Sequence, residues 1–86
     1  MKLIEKTNIY FRRQNINFHG IRVDVPDWAC YLAAEPNGDV LAFTLEPRID
    51  EDDLKIGWIR QAGTTSMKVA KVGLEGFDFT KTLIAI

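Results

Sequence analysis

The chain has 86 residues, 47% of them hydrophobic, with twelve acids against eleven bases and a formal net charge of −1. A chain of this size suits one domain that buries a little over about 60% of its unfolded surface, enough for a core but with little to spare. The charge balance lacks the basic footprint of a nucleic-acid binder. The single cysteine, Cys30, excludes an internal disulfide and fits either a reducing compartment or indifference to redox conditions.

The N-terminal region carries Lys2, Glu5, Lys6, Arg12 and Arg13 and no apolar run of signal-peptide length. No segment approaches the roughly 20 apolar residues needed to span a bilayer, so a cytoplasmic, non-membrane protein is expected. Thr7–Arg13 is rich in β-formers and reads as a first strand. Ile21, Val23 and Val25 then alternate with Arg22 and Asp24, the pattern of a half-buried strand, with His19-Gly20 before them as a turn or bulge.

Trp28 to Leu45 is the longest nearly uncharged stretch, broken only by Glu35-Pro36-Asn37-Gly38-Asp39. It reads as a central β-hairpin. Asn-Gly between apolar runs is a strong hairpin signal. A two-residue turn at Asn37-Gly38 would leave Pro36 in the strand, where it has no N–H to donate. Proline instead suits the first central position of a type I turn, with Gly38 left-handed in a G1 bulge, and that geometry is preferred. Leu41, Phe43 and Leu45 share one face and Val40, Ala42 and Thr44 the other, both mainly apolar, which predicts inner strands covered on both sides by a helix or another chain. Pro26–Glu35 also fits a helix that begins at Pro26 and ends at Pro36.

Beyond the hairpin lie Glu46-Pro47-Arg48-Ile49 and the acidic run Asp50-Glu51-Asp52-Asp53. Leu54, Ile56 and Trp58 alternate with Lys55 and Gly57 and suggest a strand reaching about Gln61. Ala62–Ser66 reads as a loop, Met67–Val72 as a returning strand and Gly73–Gly76 as a turn. Asp78 is a good N-cap for a short helix Phe79–Ala85, too short to persist without packing Phe79, Leu83 and Ile86 on the sheet. The expected fold is α+β, mostly β: one domain over residues 1–86, an antiparallel meander of about five to six strands and a short C-terminal helix packed on it. The small core, the two-sided hairpin and the ending Leu83-Ile84-Ala85-Ile86 make a symmetric homodimer plausible.

Charge is segregated along the chain. Residues 1–23 carry five bases against one acid, residues 24–53 nine acids against one base, and residues 54–86 five bases against two acids. Either the segments pair across a sheet or they form a dipolar surface that steers a charged partner.

Val25-Pro26-Asp27-Trp28, Tyr31-Leu32-Ala33, Gly38-Asp39-Val40-Leu41-Ala42-Phe43, Glu46-Pro47 and the ending Gly76-Phe77-Asp78-Phe79-Thr80-Lys81-Thr82-Leu83 together resemble small accessory proteins encoded in tailed-phage and prophage genomes. The shared features are turns, core aromatics and a helix cap. Leu41 stands where that group has tryptophan, and Pro36-Asn37 where its turn is more acidic. The resemblance implies a phage origin and brings no activity with it.

Catalytic residues are sparse. His19 is the only histidine and Ser66 the only serine, far apart in sequence. A Cys30–His19 pair competes with the plainer reading of Cys30 as an inert core thiol. Asp50–Asp53 lacks the glycine and later glutamate of an EF-hand loop. Neither an enzyme nor a cofactor or metal is expected. Binding remains, and its leading form is a phage-type protein that inhibits or redirects a host bacterial protein, a defence or nucleic-acid-processing factor, through Asp50, Glu51, Asp52 and Asp53. The alternatives are an oligomer that sequesters a nucleotide-like ligand through Trp58, Arg60 and Arg13, and a virion or structural role. Tyr10 and Phe11 beside Arg12-Arg13 offer stacking and phosphate contacts, which the overall charge disfavours.

Overall fold

The computed structural model describes residues 1–10 and 12–86. Among the described residues, nine strands form a five-stranded sheet and two separate two-stranded ribbons. In chain order they are β1 (Lys2–Lys6), β2 (Arg13–Phe18), β3 (Ile21–Pro26), β4 (Tyr31–Ala34), β5 (Asp39–Phe43), β6 (Arg48–Ile49), β7 (Trp58–Ile59), β8 (Ser66–Gly73) and β9 (Ile84–Ala85). The central sheet is antiparallel in the order β1-β8-β5-β4-β9. This is not a meander: only β4 and β5 are sheet neighbours in sequence, and β8 inserts between β1 and β5.

The predicted central hairpin is β4–β5, with Ala34 opposite Val40. Gly38 N donates to Glu35 O at 2.9 Å and Glu35 N to Asp39 O at 2.8 Å. Gly38 has φ +93° whereas Asn37 stays at negative φ. That is the bulged type I turn, since a type I′ turn would need positive φ at Asn37. Pro26–Glu35 is not a helix. Pro26 closes β3, and Ala29 N bonds Pro26 O at 3.1 Å in a turn that leaves Trp28 outside the strand.

Both faces of the hairpin are covered, as the apolar pattern demands, but by strands of the same chain. On one face Leu32, Ala34, Val40 and Ala42 join Ala70 and Val72 under the β2–β3 ribbon, which contributes Phe18, Val23 and Val25. On the other, Ala33 and Phe43 pack with Trp58, Ile49, Phe79 and Leu83. The faces that suggested a symmetric dimer are therefore filled internally. His19 (φ +51°) and Gly20 (φ +90°) form the two-residue turn of the β2–β3 ribbon, the twist that favours tight hairpins.

Three other expectations change. The first strand is Lys2–Lys6, not Thr7–Arg13. Its register against β8 pairs Lys2 with Gly73 and Lys6 with Ala70, whereas Arg12, at φ +49°, cannot continue a strand. Leu54 to Gln61 is a 3-10 turn (Leu54–Ile56) followed by the short β7, because Gly57 at φ +75° breaks the extension. At the C-terminus, Asp78 does cap a turn, accepting from Thr80 N at 3.0 Å, but only a 3-10 turn, Phe79–Lys81, follows. The chain then extends so that β9 pairs with β4, and Ile86 N bonds Cys30 O at 2.8 Å. Pairing an otherwise open sheet edge satisfies backbone groups that a seven-residue helix would leave bare. The buried Thr82 hydroxyl pins this segment, accepting from Ala34 N at 2.9 Å and donating to Phe79 O at 2.7 Å.

Candidate functional site

The connection between β6 and β7 carries the acidic run, and its own carboxylates shape it. Asp50 Oδ1 accepts from Asp52 N at 2.9 Å, and Asp53 N donates to Asp50 O at 3.1 Å. Asp53 then caps the 3-10 turn through Lys55 N at 3.3 Å. This is the local side-chain-to-backbone bonding that aspartate prefers to a ladder. Asp50 is half-buried and Glu51, Asp52 and Asp53 are exposed. Leu54 and Ile56 are 46% and 55% exposed, so exposed acids and exposed large aliphatics follow one another along this connection.

The residue that follows the connection is anchored. Trp58 is only 8% exposed, its Nε1 donates to Ala34 O at 2.8 Å, and its ring meets Phe79 edge-on at 6.4 Å. Trp58 is therefore core, with no free face for stacking a ligand. Glu35 Oε2 accepts from Trp58 N at 3.3 Å, and a Cβ at Gly57 would fall on that same carboxylate oxygen. Glycine at position 57 is what lets the connection pass over Glu35.

Beside this anchor lies an open cleft of about 690 Å³ whose lining includes Glu35, Asp39, Leu41, Lys55, Trp58 and Arg60. Burial raises the Glu35 pKa above its ordinary 4.5, against the opposing Trp58 N–H and the positive charge of Arg60. An acid raised in the folded state binds more protons folded than unfolded, so its contribution to stability grows as pH falls through the raised value toward 4.5. Glu35→Gln should therefore flatten the urea-stability profile between neutrality and about pH 4.5 and leave the protein at least as stable at pH 7. An unchanged slope in that window would refute this role for Glu35.

A small part of the segregated charge is paired between strands. Lys68 on β8 lies 3.2 Å from both Glu5 on β1 and Asp39 on β5, and Lys71 lies 3.4 Å from Asp39. Burial alone would raise Asp39, but hydrogen bonds from Lys68, Asn37 and Lys71 hold its pKa below the ordinary value. Arg13 pairs with Asp24 at 3.6 Å and donates to Ile9 O at 3.0 Å. Among the described residues, none of the ion pairs involves Asp50, Glu51, Asp52 or Asp53.

The structure thus divides the expected ligand contacts. Arg60 and Trp58 both line the cleft, but Arg13 belongs to the ribbon over the opposite sheet face. Glu35 and Lys55 are cleft residues that sequence reasoning missed. The Glu35-Pro36 turn signal was visible, but nothing local placed it against Trp58. The Cys30–His19 pair does not form: His19 Nε2 donates to Thr82 O at 2.7 Å, while Cys30 Sγ, which is exposed rather than buried, points to Trp28 O at 3.6 Å. Tyr10 is 86% exposed, and Phe11, its partner in the expected stacking surface, lies outside the described residues. Among the described residues there is no group of three or more His, Cys, Asp or Glu side chains placed to hold a metal ion, and no helix is long and apolar enough to cross a membrane. Comparisons of the chain with protein-family models, curated proteins and solved structures find no match.

Proposed function

We propose that the chain is a phage-type accessory protein that acts by binding in the cytoplasm of a bacterial host. Its partner is a host defence or nucleic-acid-processing protein, which it inhibits or redirects. One observation carries this reading: residues 50–56 form a hydrogen-bonded connection with carboxylates at positions 50–53 and two exposed aliphatics, followed directly by the buried, hydrogen-bonded Trp58. Unpaired acids beside apolar area suit a basic, partly apolar protein surface of the kind that otherwise holds phosphates. The phage assignment is supported by the sequence resemblance. The residues that carry it serve turns, core and a cap here, so it speaks for ancestry rather than for a contact surface.

The test is affinity capture from bacterial lysate, followed by titration of the captured, identified protein. The comparison is a variant carrying Asp50→Asn, Glu51→Gln, Asp52→Asn and Asp53→Asn. Its stability should stay within about 0.5 kcal/mol of the parent, because three of the four positions are exposed and an asparagine oxygen at 50 and 53 can still accept from the Asp52 and Lys55 N–H groups. Its affinity should fall roughly tenfold or more and lose its dependence on salt. A variant that binds like the parent, or a lysate that yields no specific protein, would count against the proposal.

A further inference from the structure

We infer that the cleft beside Trp58 binds a small aliphatic zwitterion: Glu35 takes its ammonium group, Arg60 and Lys55 take its carboxylate, and Leu41 and Ile56 meet its side chain. The site is separate from the carboxylates of residues 50–53, and the inference does not rest on their partner.

The cleft holds charges of both signs, and they are not equally engaged. Its charged lining is Glu35, Asp39, Lys55 and Arg60. Asp39 is already satisfied, by Lys68 at 3.2 Å, Lys71 at 3.4 Å and the Asn37 side-chain amide at 3.3 Å. The other three are not. Glu35 Oε2 accepts from Trp58 N, whereas Oε1 accepts no hydrogen bond among the described residues and is reached by solvent. Lys55 and Arg60 are exposed, and among the described residues neither side chain makes an ion pair or a hydrogen bond. The positive charge of Arg60 is felt at the Glu35 carboxyl, yet burial outweighs it and the two do not pair.

Opposite charges that share a cleft without neutralising one another complement a ligand that carries both. Half-buried Glu35 has lost hydration without gaining a cation, and a ligand ammonium group supplies one. A simple anion would meet Glu35 as a like charge, and a simple cation would meet Arg60 and Lys55; a zwitterion avoids both penalties. Guanidinium can hold a carboxylate through two parallel hydrogen bonds, so Arg60 leads there and Lys55 adds charge. Half-buried Leu41 and exposed Pro36 and Ile56 are aliphatic, which suits an aliphatic ligand side chain. The Trp58 ring is packed in the core and offers no face to a stacked base. About 690 Å³ has room for an α-amino acid or for a dipeptide, whose charges stand farther apart. Because the bases are exposed, affinity should be near millimolar.

Titration of the ¹⁵N-labelled protein with leucine and with alanyl-leucine, followed by NMR, tests this. At least one should saturate, with shifts centred on the Gly57, Trp58 and Arg60 amides, and the better of the two reports the charge spacing. Its N-acetyl form lacks the ammonium group and its C-terminal amide lacks the carboxylate, and each should bind about tenfold more weakly. Glu35→Gln should bind the parent ligand and its N-acetyl form alike. Arg60→Gln should narrow the preference for the free carboxylate over the amide in the same way, so that each lost charge is traced to one side chain. The variant neutralised at residues 50–53 should bind like the parent, which keeps failure of the host-partner proposal separately visible. The inference falls if neither zwitterion saturates by about 10 mM, or if the N-acetyl and amide forms bind equally well. It also falls if both variants keep the parent's preferences, or if inorganic phosphate binds through Arg60 as tightly as the zwitterion, which would make the cleft a plain anion site.

Discussion

Gly38→Ala should destabilise the protein by about 3 kcal/mol, combining left-handed strain with an overpacked backbone contact. Gly38 sits at φ +93°, and a Cβ there would collide with the Val72 carbonyl of β8. The contact cannot be relieved by a rotamer, because the obstruction is backbone. It is also held in place, since Val72 N bonds Gly38 O at 2.9 Å. The turn of the β4–β5 hairpin is thus tied to the adjacent strand, and any shift that makes room for a methyl group breaks that tie. For a domain of this size, 1 kcal/mol is worth about 4–8 °C in Tm, so a thermal melt by circular dichroism should show a fall of roughly 12–24 °C. Gly20→Ala is the control. Its φ is also positive, but nothing lies within 4 Å of the added Cβ, so only the backbone strain remains and the fall should be clearly smaller. Equal effects at the two positions would show that conformation alone matters and that the Val72 contact does not.

Phe18→Ala should cost more still, about 3–5 kcal/mol, the range for emptying a buried aromatic site. Phe18 is fully buried and joins the β2–β3 ribbon to the central sheet alongside Val23 and Val25. Its ring also meets His19 edge-on at 4.8 Å, and His19 in turn holds the Thr82 carbonyl. The loss therefore reaches from the ribbon to the C-terminal segment. Against a total stability of about 5–15 kcal/mol, a loss of this size is a large share, and at the low end of that range it leaves a substantial unfolded fraction. Urea titration followed by tryptophan emission measures it. Phe18→Leu keeps most of the volume and should fall well short of the alanine variant. A midpoint for Phe18→Ala within error of the parent would mean the ribbon does not depend on this contact.

What was legible in the sequence was local. Pro36-Asn37-Gly38 specifies its turn because proline fixes one φ and glycine permits another, and the observed hydrogen bonds follow. The alternation of Ile21, Val23 and Val25 against Arg22 and Asp24 appears in β3 as written. The two apolar faces of the hairpin also proved to be two covered faces, although the covers are ribbons of the same chain. What was not legible depends on pairing between distant segments. Nothing near Lys2–Lys6 announces that it will add to a strand some seventy residues away, with Lys2 opposite Gly73. The C-terminal residues have an N-cap and an apolar side suited to a helix, and only the open edge of β4 makes extension the better outcome. The cleft failed for the same reason: Glu35 and Arg60 belong to different layers, and the bond from Trp58 N that brings them together has no sequence signature. The residues of the acidic run were visible at once, because unbroken charge is local information.

The strand order carries a kinetic consequence. β1 precedes the other strands in the chain, yet among the described residues its one sheet partner is β8, so that pairing waits until residues 66–73 have left the ribosome. The hairpins β2–β3 and β4–β5 can close early, but β8 must insert between β1 and β5 to make a sheet of them. A topology dominated by such distant contacts folds slowly for its length. During translation the chain will carry two pre-formed hairpins and a dangling first strand, and cooperative structure will arrive in one late step.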